Sequence, residues 1–205
     1  LLSDGLDSPV STYLMMKQGY DVLAVSMITA HDPQNLSRNK VLKLAKLLKE
    51  KTGRNIEVHF VKYTEIQGEF VEKAERKLTC LLCKRLMLRI AQEIAKREGI
   101  DYIINGDILG EQASQTLENL YAVQRVVSDA LVIRPLIGFD KIEVIRIAQQ
   151  IGTYEICSEK APSCDRNPKY PETHARLKDL VKAETPFDYN FIVKSLINGI
   201  EIVKV

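Results

Sequence analysis

The chain has 205 residues, 45% hydrophobic and 27% charged. That suits one globular domain with a core of its own and no need of a disulfide framework. Lys and Arg number 29 against 27 Asp and Glu, a net charge of +2, which excludes a strongly basic protein and leaves any grip on a polyanion to a local patch or a separate module. No run approaches the roughly 18 apolar residues of a membrane span, so a soluble, cytoplasmic protein is expected. No basic-then-apolar leader opens the chain. It begins Leu1-Leu2 and not with Met, so a preceding segment is expected.

In chain order, Leu1-Leu2 reads as the tail of a strand, and residues 3–8 as a turn before a helix. Residues 22–27 (VLAVSM) form a nearly continuous apolar run, as in a strand buried on both faces. His31, in the next loop, reads as a polar loop residue. Val41, Leu44, Ala45 and Leu48 recur at helical spacing and stop at Gly53. Residues 57–61 (EVHFV) give a second strand. Met87, Ile90, Ala91, Ile94 and Ala95 give a helix ending at Gly99. Residues 102–105 and 131–134 give two more strands, the latter closed by Pro135. Asp140 and Glu143 form a capping box opening a helix through Ile151 that stops at Gly152. Residues 158–173 are Pro-rich and polar and read as a loop. Two helices, near 172–183 and 188–198, and a short apolar end complete the chain.

Strands alternating with helices predict an α/β fold, a Rossmann-like doubly wound parallel sheet. Residues 1–165 form its main domain, and 166–205 a short helical C-terminal extension packed on it. Ligands of such sheets bind beyond the carboxyl ends of the strands, which points to the loops after Leu2, Met27, Asn105 and Arg134. Phe187, Phe191, Ile192, Leu196 and Ile197 either seek a partner, giving a homodimer, or pack on the sheet.

The first of those loops carries chemistry. Ser3-Asp4-Gly5-Leu6-Asp7-Ser8 joins a strand end to a helix start, where backbone N–H groups and the helix N-terminus face an anion. Ser3 and Ser8 add hydroxyl donors, Gly5 lets the backbone approach closely, and Asp7 holds Mg²⁺ or caps the helix. A plain strand-to-helix turn would use the same residues. Four cysteines stand in a chain without secretory features: Cys80 and Cys83 as a C-x-x-C pair, then Cys157 and Cys164. In a reducing compartment they read as metal ligands or redox thiols. The pair opens a helix beside Lys84 and Arg85, a setting that lowers thiol pKa.

The opening loop resembles the S-G-G-x-D-S pyrophosphate loop of the PP-loop ATP pyrophosphatases, which cleave ATP between its α and β phosphates and adenylate a carbonyl oxygen. Asp4 replaces the first glycine. A carboxylate there repels a polyphosphate unless Mg²⁺ or a lysine intervenes, and a positive φ would strain it. More of the chain is similar to one branch, the tRNA 4-thiouridine synthetases (tRNA sulfurtransferases). The blocks are residues 8–17 (SPVSTYLMMK), 79–87 (TCLLCKRLM), 106–119 (GDILGEQASQTLEN), 134–141 (RPLIGFDK) and 151–156 (IGTYEI). Glu111 departs from that pattern, where Gln is common. The likeness covers about residues 1–165. It contains neither the family's N-terminal RNA-binding module nor a rhodanese-like extension.

The resemblance implies ATP and Mg²⁺ at Ser3, Asp4, Gly5, Asp7 and Ser8, with Met27 and Ile28 meeting the adenine edge. It places Gly106, Asp107, Gln112, Ser114 and Gln115 against the nucleotide. Cys164, in a Pro-flanked loop, takes the place of the catalytic cysteine. With Cys80 and Cys83 it implies a sulfur site: a 4Fe–4S iron–sulfur cluster on three thiolates, a persulfide or disulfide relay, or zinc as the fallback. Cys157 is a fourth ligand or a small buried hydrophobe. The implied partners are tRNA, through Lys84, Arg85 and Arg89 or a separate tRNA-binding module, and a sulfur donor, whether a cysteine desulfurase, sulfide or a sulfur-carrier protein. The expected function is ATP-dependent tRNA sulfurtransfer. The alternatives are a subunit disabled by Asp4 and serving as scaffold, or an amide-forming synthetase with a zinc C-x-x-C.

Overall fold

The structure, a computed structural model, describes residues 1–29 and 32–205; His31 lies outside the described residues. The turn at residues 3–8 leads into α1 (Asp7–Lys17). Strand β1 (Val22–Ile28), α2 (Leu36–Thr52) and β2 (Ile56–Lys62) form the first strand–helix–strand unit. Then come α3 (Thr64–Lys73), α4 (Thr79–Glu98), β3 (Tyr102–Ile104), α5 (Leu117–Gln124) and β4 (Leu131–Ile133). Helices α6 (Lys141–Ile151), α7 (Thr153–Ser158), α8 (Leu177–Glu184) and α9 (Tyr189–Asn198) precede a last strand, β5 (Glu201–Lys204).

The four expected strands are present. β1 and β2 pair in parallel, Val22 opposite Ile56 through Ile28 opposite Lys62, and β3 pairs in parallel with β4. Leu1-Leu2 is not itself a strand. The Leu2 N–H bonds to the Val25 carbonyl (2.9 Å) and the Leu1 amino group to the Ile104 carbonyl (2.6 Å). The two residues that enter the phosphate loop therefore tie the edge of β1 to the edge of β3. Helix α2 stops at Gly53 and α4 at Gly99, where φ is +66°. The capping box at α6 forms in full: Asp140 accepts from the Glu143 N–H and Glu143 from the Asp140 N–H, at 2.8 and 2.9 Å.

The short apolar end is β5, which pairs antiparallel with β2, Glu57 opposite Lys204. The segment 166–205 thus finishes in the sheet and not in helix, and its side chains enter the main core. Phe187 packs edge-to-face on the fully buried Phe70, centroids 5.0 Å apart, and Leu180 and Ile197 join the same cluster around α4. Phe191, by contrast, is 69% exposed.

A buried ion triad fastens this segment to α4. Glu184, 8% exposed, accepts from both Arg85 (2.8 and 2.7 Å) and Arg89 (2.6 and 3.0 Å). Burial alone would raise the Glu184 carboxyl, but the hydrogen bonds from Arg85 and Arg89 outweigh it and hold the group below its ordinary range. A depressed folded pKa adds stability that is present above the unfolded value and lost as pH falls through the folded one. Glu184→Gln, which strands two guanidinium groups, is expected to cost about 3 kcal/mol near neutral pH. In urea titrations the deficit should shrink below the carboxyl's ordinary value of 4.5. A deficit that stays constant into acid would mean that the charge does not hold the segment.

Candidate functional site

The loops at the carboxyl ends of β1 and β3 and the turn 3–8 open into one cleft of about 740 Å³, within the range of small-molecule sites. Helix α1 begins at its floor. Its N-cap, Leu6, makes no side-chain cap bond, so first-turn N–H groups are left for an anion. The loop's shape is set by its two serines. Ser8 Oγ accepts from the Ser3 N–H (2.8 Å) and lies 2.9 Å from Ser3 Oγ, which in turn accepts from the Gly5 N–H (3.3 Å).

Gly106 holds the second wall against the first. A Cβ there would lie 2.8 Å from the Ser8 nitrogen and 3.0 Å from the Asp7 carbonyl carbon. The β3 loop and the start of α1 therefore touch backbone to backbone, and Ser11 seals the contact by donating to the Asn105 carbonyl (2.8 Å).

Of the carboxylates lining the cleft, Asp4, Asp7 and Asp107 are each paired with a lysine from a different helix. Asp7 accepts from Lys141 of α6 (2.7 Å), which also lies 3.3 Å from Glu111. Burial would lower the Lys141 ammonium, but Asp7 and Glu111 outweigh it and raise it. Asp107 accepts from Lys84 (2.8 Å), Asn105 (2.8 Å), Gln115 (3.2 Å) and Arg134 (3.3 Å). Burial would raise the Asp107 carboxyl, but Lys84 and the other donors hold it below its ordinary range. Asp4 lies 3.7 Å from Lys40 of α2 and accepts from Ser37 (3.0 Å). Asn35 is the one non-glycine with positive φ among the described residues, so Asp4 carries no backbone strain. The expected remedy for its charge is present as a lysine.

The other expected nucleotide contacts divide. Met27, Ile28, Gln112, Ser114 and Gln115 all line the cleft. The Ile28 carbonyl already accepts from the Tyr63 N–H and the Thr64 hydroxyl, at 3.1 Å each, so it is not open to an adenine. Asp107 has both carboxylate oxygens occupied by protein donors. Part of the 106–119 block is structural. Thr116 caps α5 and donates to the Thr173 carbonyl (2.6 Å), while the fully buried Asn119 bonds Ala113, Glu172 and Ala175.

Across the cleft stand the thiols. The Gln67 amide donates to Cys164 Sγ (3.5 Å) and Cys83 Sγ (3.8 Å), and Cys80 Sγ reaches Asn167 Oδ1 (3.6 Å). Cys157 instead sits by the phosphate loop, 3.4 Å from the Gly5 carbonyl. Thiols lowered by the helix start and its cations are not found. Burial pushes Cys80 up and Cys83 to about 12, and at Cys80 it outweighs the opposing pull of Lys84 and Arg76. The donor set does not fit a cluster or zinc as arranged: among the described residues no three or more His, Cys, Asp or Glu side chains are placed to hold a metal ion. The Asp7 carboxylate, by contrast, is the oxygen chemistry Mg²⁺ takes.

The expected basic patch is also corrected. Arg85 is 3% exposed and closed to a polyanion, and Arg89, its side chain 21% exposed, shares Glu184 with it. Sequence reasoning overlooked Lys40, Ser37 and Gln67. Lys40 lies in a lysine-rich helix where a solvated face is the natural reading. Its burial at 5% exposure comes with the end of α7, 117 and 119 residues later, whose Cys157 and Glu159 carbonyls its ammonium bonds.

Residues 1–189 match a family model described as ThiI, thiamine biosynthesis protein. A probable tRNA sulfurtransferase of Caldanaerobacter subterraneus subsp. tengcongensis is 42% identical over 191 residues, 92% of this chain and 50% of that protein. One of Methanosarcina mazei is 37% identical over 206 residues, 100% of this chain and 50% of its own length. A crystal structure described as a 4-thiouridine synthetase–RNA complex with bound ATP superposes with a TM-score of 0.93 at 32% identity, covering 100% of this chain and 54% of that one. The chain spans about half the length of the curated relatives it matches.

The contact at Gly106 yields a direct test. Gly106→Ala should push the β3 loop off α1 and, for a nucleotide seated in this cleft, weaken binding by tenfold or more, read by calorimetry with ATP, while circular dichroism stays native. Unchanged affinity would place the nucleotide elsewhere.

Proposed function

The chain belongs to the ThiI family, and on that premise we propose that it is the catalytic domain of an ATP-dependent tRNA sulfurtransferase. The observation that carries this reading is one cleft with a phosphate loop on one wall and Cys80, Cys83 and Cys164 on the other. The triphosphate lies in the 3–8 turn, over the uncapped start of α1. Mg²⁺ held at Asp7 would screen its charge. Loop N–H groups, with Lys141 and Lys40, take up the charge that develops as a uridine carbonyl oxygen attacks the α-phosphorus and pyrophosphate departs.

Sulfur then arrives on Cys164. A persulfide there attacks the adenylated carbon through its terminal sulfur, AMP leaves with the former carbonyl oxygen, and a Cys164–S–S–carbon bridge remains. A thiolate, Cys80 before the more deeply buried Cys83, attacks Cys164 Sγ. The 4-thiouridine departs as the thiolate, and a protein disulfide is left for an external thiol to reduce. The donor that loads Cys164 is a cysteine desulfurase: the Cys164 thiolate takes the outer sulfur of its persulfide and the desulfurase cysteine leaves as a thiolate. The tRNA is held largely by residues outside the arginines of α4.

Two measurements check this. Given ATP, Mg²⁺ and unmodified tRNA, the protein should release pyrophosphate; release of orthophosphate alone would remove it from α-phosphate chemistry. Cys164→Ser should keep pyrophosphate release and lower 4-thiouridine formation at least a hundredfold, by nucleoside mass spectrometry. Wild-type thiolation by that variant would move the sulfur to another cysteine. If Asp4 disables the loop and the chain is a scaffold, nucleotide titration will find no binding until Asp4→Gly restores it.

A further inference from the structure

Resting on the nucleotide reading above, we propose that Lys40 is a positioning residue that couples occupancy of the phosphate loop to the placement of Cys164, through a latch shared with Asp4 and Ser37. Lys40 is 5% exposed. Its ammonium donates to the Cys157 and Glu159 carbonyls, 2.9 Å each, at the end of α7, where a cation meets the negative pole of the helix. The same ammonium lies 3.7 Å from Asp4 Oδ2. One turn earlier, Ser37 Oγ faces both Asp4 Oδ2 (3.0 Å) and the Pro162 carbonyl (3.3 Å). It has one proton for two acceptors. Cys157 Sγ closes the circuit by donating to the Gly5 carbonyl (3.4 Å).

Residues 157–162 are thereby strapped onto the phosphate loop, and Cys164 follows two residues beyond. The latch depends on Asp4 holding the attention of Lys40 and Ser37. A polyphosphate entering the turn sets more negative charge beside Asp4. Lys40 then serves phosphate at the expense of Asp4 and the strap carbonyls, and Asp4, released from Lys40, draws the Ser37 proton away from the Pro162 carbonyl. Filling the loop loosens the strap and frees the Cys164 thiol after the nucleotide has arrived. That order suits a reaction in which the acceptor is activated before sulfur is delivered.

The test uses inorganic pyrophosphate with Mg²⁺, which fills the loop but is too small to cover Cys164. Iodoacetamide modification of Cys164 is followed by peptide mass spectrometry, with pyrophosphate binding measured separately by calorimetry. In the wild type, pyrophosphate should speed alkylation about fivefold or more. Lys40→Met should react fast with or without pyrophosphate, and Lys40→Arg should recover part of the response. Ser37→Ala, at a half-buried position that does not threaten the core, should raise the ligand-free rate and blunt the response. Bound pyrophosphate that leaves the wild-type rate unchanged or lowers it overturns the latch. If neither pyrophosphate nor ATP binds, the nucleotide reading fails on its own. The latch is then judged by the ligand-free rates, and Ser37→Ala and Lys40→Arg reacting no faster than wild type would overturn it too.

Discussion

Three aspartates of the cleft, Asp4, Asp7 and Asp107, are each paired with a lysine, and the arrangement of its walls depends on those pairs. Asp4, Asp7 and Asp107 would each repel phosphate if left bare. Each has a lysine, and the three lysines arrive from α2, α6 and α4. The ion pairs do two things at once. They hold the floor of the cleft near electrical balance, and they pin three helices around the carboxyl edge of the sheet. In the partly desolvated cleft such pairs are stronger than on open surface, and removing one partner leaves the other exposed to the full cost of burial.

The backbone contact at Gly106 belongs to the same logic. Charge pairing can align the walls only if the walls meet, and the absence of a side chain at this position brings the β3 loop within van der Waals contact of Ser8. Leu1 and Leu2 supply the third constraint by hydrogen-bonding both sheet edges immediately before the turn. The phosphate loop is thus held from the strand side, the helix side and the opposing loop, so its N–H groups are arranged before a ligand enters.

Much of this was legible from the residues alone. The apolar runs at 22–27 and 57–61 had to be strands buried on both faces, and Gly53, Gly99 and Gly152 marked where helices stop. The turn at residues 3–8 could equally have been a plain strand-to-helix turn on its residues alone, and it was the further blocks of resemblance along the chain that pointed to its chemistry. What escaped had a common cause: it depended on partners far along the chain. Arg85 reads as a surface cation until Glu184, 99 residues later, is folded over it. β5 is four residues with a mostly exposed pattern and becomes a strand only because the edge of β2 is free to receive it. The Cys80–Cys83 pair sits at a helix start, as expected, yet that start is packed inside the fold, and desolvation outweighs the helix dipole and its cations.

The pairing of Asp4 with Lys40 also bears on how such a loop can change over time. An acid at this position is tolerable only in a background that already supplies the ammonium. Once it is there, Lys40 and Ser37 come to lean on it. Restoring glycine would leave a nearly enclosed lysine without its counter-charge, so the return step is not neutral. Asp4 and Lys40 are thus mutually dependent: removing either leaves the other with a charge its surroundings were not built to hold alone.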